Sequence, residues 1–258
     1  MESLKEYSDI IKLYDKQLEF AQTIQKKIIP PASNFHSENY HFYSSLKPFR
    51  KVGGDFYDFH FTEDGCVSLL LADATGHGID AAMITGMVKL IYSYAIKEEE
   101  LLASPALLLK RLEEDIEQLL PSIFFSAFAV LMNPHNNTLL FANAGHPSGL
   151  LISNTTHLLK PTLPLIGLHS MVSDISYINV CYHFMPGDKL LLFTDGLIDA
   201  QDKTGDLFGM KRVMHQINTL TGAPLHTLCS RIMAENAIFH GDVPQGDDIC
   251  LVGLERIK

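Results

Sequence analysis

Residues 52–78 read VGGDFYDFHFTEDGCVSLLLADATGHG. Two apolar runs, 55–61 and 66–72, are the right length for strands and are rich in aromatic and aliphatic residues. Between them Glu63-Asp64-Gly65 is a turn signal. A hairpin of this kind is antiparallel. Aspartate beside glycine flanks both runs: Gly53-Gly54-Asp55 opens the first, and Asp73-Ala74-Thr75-Gly76-His77-Gly78 follows the second. Strand ends let a rigid scaffold present a side chain into a cleft, and glycine lets backbone or ligand approach closely.

The same pattern continues outward. Residues 40–46 read as a strand ending at Lys47-Pro48, and residues 123–132 and 138–144 read as a hairpin joined through Asn133-Pro134-His135-Asn136-Asn137. Shorter strands are expected at 149–152, 175–182 and 189–194, and a last one at 249–254. Helical spacing marks 79–99, with a tight face of Ala81, Ala82, Thr85 and Val88, and a second helix from Pro105 through Leu119. Two further helices are expected at 209–220 and 224–237. Hairpins, rather than strict alternation of strand and helix, give an α+β class: antiparallel sheets with helices outside.

Ahead of all this, Leu4, Tyr7, Ile11, Tyr14, Leu18, Ala21, Gln25 and Ile28 follow alternating steps of three and four, the a/d spacing of a coiled coil. Pro30-Pro31 ends that helix. Residues 1–31 are therefore read as an N-terminal amphipathic helix and 32–258 as one domain. The helix packs on its own domain, or dimerises the chain, or carries a signal into it.

Composition bounds the partners. The chain has 258 residues, 20 Lys plus Arg and 30 Asp plus Glu, for a formal charge of −10. Polyanions repel a polyanion, so nucleic acid and anionic membrane are excluded as main partners. Cys66, Cys181, Cys229 and Cys250 form no CxxC pair and read as buried free thiols. The N-terminus MESLKEYSDI is acidic where a secretion signal is basic, and the uncharged stretch 118–159 is interrupted by Pro and Gly. No membrane span and a cytoplasmic location are expected.

Four segments carry aspartate beside glycine and an apolar strand: 52–58, 71–78, 193–199 and 246–249. Carboxylates brought together repel one another unless protonated or bound to cations. Hard oxygen ligands without a His/Cys cluster suit Mg²⁺ or Mn²⁺, and two such ions can clamp a phosphoryl group. Taken singly, each segment reads first as an ordinary Asp-Gly turn.

In this order, the segments resemble the SpoIIE/RsbU-type serine/threonine phosphatases, a bacterial branch of the metal-dependent protein phosphatase 2C superfamily. The resemblance runs over residues 18–256 and takes in Phe20 to Gln25 with Ile29-Pro30-Pro31, Phe141-Ala142-Asn143-Ala144-Gly145-His146-Pro147, Met185-Pro186-Gly187-Asp188, Phe193-Thr194-Asp195-Gly196-Leu197 and Asp247-Asp248-Ile249. It implies an α/β/β/α sandwich and hydrolysis of phosphoserine or phosphothreonine on a protein. The usual substrate in the family is a phosphorylated STAS-fold anti-sigma-factor antagonist within a partner-switching pathway. Carried over, Asp55 ligates a first metal, Asp73 bridges two with the Ala74 carbonyl nearby, and Asp195 and Asp247 hold the second. A metal-activated water then attacks, with no covalent phosphoenzyme. An upstream sensor or activator acts through the N-terminal helix.

Other residues weigh less. Asp248 alternates away from Asp247, so one of the two is a ligand, and Asp247 is the favoured one. Asp58 faces away from Asp55, which suits an outer or structural role. Asp199 is either a surface carboxylate or a holder of a weaker third metal. His77 is a candidate proton donor to the leaving alkoxide. His146 suits a structural hydrogen bond. Arg50 and Lys51 could attract phosphate or simply solubilise a loop. Two competing readings are a non-catalytic partner-binding module with a phosphatase-like fold and a hydrolase of small phosphate esters.

Overall fold

The computed structural model describes residues 2–31, 33, 35, 37–76, 78–168 and 171–258, with side chains in the first helix from Tyr7 onward. The chain runs α1 (Glu2–Ile28), β1 (Tyr40–Lys47), β2 (Asp55–Phe61), β3 (Val67–Ala74), α2 (Ile79–Ala95), α3 (Glu99–Leu102), α4 (Pro105–Leu119), β4 (Phe125–Asn133), β5 (Thr138–Ala144), β6 (Gly149–Ile152) and β7 (Thr156–Leu159). It continues with β8 (Val180–His183), β9 (Lys189–Phe193), α5 (Asp195–Ile198), α6 (Gly209–Thr219), α7 (Leu225–His240) and β10 (Ile249–Arg256).

Among the described residues the strands form two five-stranded antiparallel sheets, ordered β1-β10-β9-β6-β7 and β2-β3-β4-β5-β8. Their inner faces meet in a core that includes Tyr57, Leu71, Phe128, Val130, Leu192 and Val252. α2 and α4 cover the outer face of the second sheet, and α6 and α7 that of the first, where Leu150, Leu191, Phe208, Val213, Leu228 and Ile232 form a second cluster. This is the expected α/β/β/α sandwich. β4 is buried almost throughout, because a central strand between two layers meets apolar surface on both faces.

The hairpin read from residues 52–78 forms with Asp55 opposite Asp73 and Phe61 opposite Val67. Local signals set the helices. Ser104 accepts a hydrogen bond from the Leu107 amide at 3.3 Å and Pro105 occupies the first turn of α4.

Several details depart from expectation. The helix expected over 79–99 stops at Ala95, and α3 restarts from an extended Glu98 with Glu99 and Glu100 in its first turn, where acidic side chains favour a helix N-terminus. Residues 175–179 form no strand. Asn179 instead accepts from the Ala106 amide at 2.8 Å and donates to Ser104 Oγ at 2.9 Å, serving the start of α4. β7 and α5 carried too short a pattern to register. Cys66, Cys229 and Cys250 are buried free thiols, but Cys181 is exposed on the edge strand β8.

Half of the heptad seam of α1 is used within the molecule. Leu18, Ala21 and Ile28 are half-buried and Gln25 is buried, whereas Tyr7, Ile11 and Tyr14 are exposed. Leu4 lies outside the described side chains. Among the described residues no helix is long and apolar enough to cross a membrane.

Candidate active site

Asp55 opens β2 and Asp73 is the last residue but one of β3, and the two are direct cross-strand partners. Like charges directly opposite destabilise a sheet. At the same end of the sandwich, the other sheet delivers Thr194 and Asp195 from the end of β9 and Asp247 and Asp248 ahead of β10. The Thr194 hydroxyl accepts from the Cys250 amide at 2.9 Å and donates to Asp55 Oδ2 at 2.8 Å, tying the two sheets together at Asp55.

The carboxylates grade from buried Asp55 and Asp248, through half-buried Asp73 and Asp195, to exposed Asp247. Burial first, and then the charge of Asp73, holds the Asp55 carboxyl well above the usual range. Burial, followed by Asp195, Asp247 and Asp248, pushes Asp73 up to about 8. Asp195 is raised by burial and then by Asp247 and Asp199. Each of these groups is strained by its neighbours' negative charge, and a cation placed among them relieves all of them at once. The donors are hard oxygens, which suit Mg²⁺ or Mn²⁺. Among the described residues no three carboxylate, imidazole or thiol groups close into a single cage, so the carboxylates at this end of the sandwich, its mouth, stand apart and act on one another through space.

Backbone shapes that mouth. A Cβ on Gly54 would stand 2.6 Å from the Ala74 carbonyl oxygen, so only glycine admits this carbonyl beside Asp55. Asp248 serves the loop before β2: its Oδ1 accepts from the Phe49 amide and its Oδ2 from the Gly54 amide, both at 2.6 Å. Burial raises its carboxyl, and these two amides pull it back. A Cβ on Gly53 would strike the same carboxylate.

The remaining expected residues lie as follows. Asp58 is buried on the other side of β2 and pairs with Lys89 of α2. Asp199 is exposed just beyond α5, its amide bonded to the Asp195 carbonyl at 2.8 Å. His146 is buried, with Nδ1 2.7 Å from Ser126 Oγ, and burial pushes its imidazole down to about 3. Lys51 is engaged by Asp15 and Glu19 of α1 at 3.3 and 3.2 Å, and the Arg50 guanidinium lies 5.6 Å from the centre of the Phe49 ring. The Thr75 hydroxyl donates to the Phe124 carbonyl at 2.7 Å. His77 lies outside the described residues.

Sequence reasoning missed two contacts. Nothing local marked Thr194 as the holder of Asp55. Gln25 did carry a signal: it is the only amide on an otherwise apolar seam. Its Nε2 donates to the Gly53 carbonyl at 2.7 Å and to Thr85 Oγ1 at 3.3 Å, while its Oε1 accepts from the Gly53 amide at 3.2 Å.

Residues 63–257 match the family model described as Stage II sporulation protein E (SpoIIE). The chain belongs to the SpoIIE family. Among curated relatives it is similar to phosphoserine phosphatase RsbU of Bacillus subtilis (strain 168), 30% identical over 166 residues that cover 62% of this chain and 47% of RsbU. It is also similar to phosphoserine phosphatase RsbP of the same organism, 27% identical over 192 residues, covering 71% of this chain and 45% of RsbP. It thus spans under half the length of either relative. Among solved structures, the SiaA-PP2C domain of Pseudomonas aeruginosa superposes with a TM-score of 0.82 at 25% identity, covering 96% of this chain and 99% of that one. The SpoIIE family and the PP2C fold are therefore those that the acidic motifs implied.

Proposed function

We propose that this chain is a divalent-cation-dependent protein serine/threonine phosphatase. It hydrolyses phosphoserine or phosphothreonine on a small regulatory protein of the STAS-fold antagonist kind, in the cytoplasm. The observation that carries this reading is the pair of buried Asp55 and half-buried Asp73, set directly opposite one another at the end of the β2–β3 hairpin with the charge of Asp195 acting on both. The similarity to RsbU and RsbP supports the phosphoserine part of it.

In this reading Asp55, Asp73, the Ala74 carbonyl, Asp195 and Asp247 would hold two Mn²⁺ or Mg²⁺ ions, and Asp199, if it is not simply a surface carboxylate, would serve a weaker third. Bound there, the cations supply positive charge for the phosphate dianion and acidify a water. The chain's own residues do the rest. Thr194 fixes the orientation of Asp55, Gly54 leaves room for the Ala74 carbonyl, and Asp248 pins the loop that carries Gly53 and Gly54. The exposed half of α1 is where a second copy of the chain or an upstream activator joins.

Phosphatase activity should be abolished by a chelator and restored by Mn²⁺. Asp73→Asn or Asp195→Asn should lower it by at least about a hundredfold, the scale of losing a group that stabilises transition-state charge. Full activity in either variant would overturn the site. Calorimetry showing no Mn²⁺ binding at millimolar concentration would favour a non-catalytic binding module, and turnover of small phosphate esters without phosphoproteins would favour the small-ester hydrolase.

A further inference from the structure

The chain is acidic, yet residues 207–240 contain Lys211, Arg212 and Arg231 against the single carboxylate of Glu235. These residues form α6, α7 and their flanks. Between the two helices lies a groove of about 670 Å³, lined by the apolar Phe208, Ile238 and Phe239 and, among its charged residues, by Lys211, Arg231 and Glu235. Ile238 is 70% exposed, a large apolar side chain left to solvent.

The cations of the groove differ in what they do. Arg212 is spent on structure: it donates to the carbonyls of Leu207 and Phe208, both at 2.8 Å, and lies 4.1 Å from the centre of the Phe239 ring. Arg231 pairs with Glu235 one turn along, at 2.5 Å. Lys211 has no carboxylate partner among the described residues. It also sits in the first turn of α6, which has no acidic residue and no side-chain cap, so its charge adds to the positive end of the helix dipole. An apolar lining with an excess of cations, Lys211 unpaired among them, on an otherwise acidic molecule fits an acidic segment that has an apolar face.

The helices of the groove are tied to the segment that carries Asp195. The Phe208 amide donates to the Ala200 carbonyl at 2.8 Å, closing the loop that follows α5, and Asn236 of α7 donates to the Leu197 carbonyl of α5 at 2.8 Å. The helix that carries Asp195 is thus bonded to α7, which forms one side of the groove. We propose that the α6–α7 groove docks an acidic, apolar-faced segment of the phosphoprotein substrate while its phosphorylated residue enters the mouth. The substrate half of this proposal rests on the phosphatase reading above. The preference for an acidic segment stands on the groove alone.

The test separates the two. A fluorescent amphipathic helical peptide of Glu and Leu is titrated against the full chain, wild type and Lys211→Glu or Arg231→Glu, and anisotropy is read. Both residues are exposed, so the fold should tolerate the changes. Each reversal should weaken binding about tenfold, and high salt should weaken the wild type. With phosphocasein as substrate, KM should rise and kcat should hold, and turnover of p-nitrophenyl phosphate should be unchanged. Unchanged peptide affinity in both variants would overturn the proposal. So would equal binding of phosphatidylserine vesicles and no binding of peptide. Should no phosphate be turned over by the wild type, the phosphatase reading falls, and the peptide titration still decides the groove.

Discussion

His146 shows how one residue type at a motif can be structural. Its amide donates to Asn143 Oδ1 at 2.8 Å, its carbonyl accepts from Asn143 Nδ2 at 3.0 Å, and its ring lies edge-on to Phe128. Burial pushes its pKa from 6.5 to about 3. The unfolded chain therefore binds a proton that the native protein refuses, and stability present above pH 6.5 is lost as pH falls toward 3, at up to about 1.4 kcal/mol per pH unit. His146→Gln should lower stability near neutrality yet flatten the acid limb of a plot of denaturant-derived stability against pH; an unchanged slope would show that another group sets that limb. The adjacent pair Asp247 and Asp248 divides by the same kind of reasoning. Asp248→Ala strands the Phe49 and Gly54 amides, at about 1–3 kcal/mol each, and should lower the midpoint of chemical unfolding. Exposed Asp247→Asn should leave that midpoint in place and weaken Mn²⁺ binding measured by calorimetry.

At the scale of elements, the decisive contact joins α1 to the loop before β2. The Gln25 amide satisfies both backbone groups of Gly53, two residues before Asp55, and reaches Thr85 of α2 as well. Gln25→Ala leaves a buried carbonyl and amide unpaired, which costs about 1–3 kcal/mol. It should also lower Mn²⁺ affinity, because the loop that positions Asp55 loses its brace; unaltered affinity would confine Gln25 to stability. The strands themselves were legible. The 55–61, 138–144 and 149–152 elements form over the expected residues, since a buried, turn-bounded apolar run has few alternatives. The 175–182 segment misled because Asn179 prefers the open N-terminus of α4 to a ladder. That preference depends on residues some 70 positions apart, beyond the reach of local pattern.

At the scale of the molecule, the motifs pointed to carboxylates that the fold brings to one end of the sandwich, because Asp beside Gly at strand ends is a local signal. The partners that orient them, Thr194 to Asp55 and Asp248 to Gly54, come from the opposite sheet and were invisible until the chain folded. The N-terminal helix lies between these cases, its seam legible and its division not. The lower half of that seam is docked, while Tyr7, Ile11 and Tyr14 stand 69%, 61% and 54% exposed. A helix of 27 residues is about 40 Å long, and an arm of its first four turns is marginal on its own in water. The exposed Lys12–Asp9 pair at 3.9 Å adds little. Burial of the free seam against an identical seam supplies the missing stabilisation, at roughly 1.5–3 kcal/mol for each large apolar side chain fully covered. Sedimentation equilibrium should therefore show self-association of the full chain, and Ile11→Glu with Tyr14→Glu should leave a folded monomer whose thermal midpoint no longer rises with protein concentration. Two chains of charge −10 repel, so this dimer should persist or strengthen at high salt, opposite in sign to an acidic peptide in the α6–α7 groove. A wild type that sediments as a monomer at all salt concentrations would reassign the exposed seam to a different helix, supplied by an upstream activator.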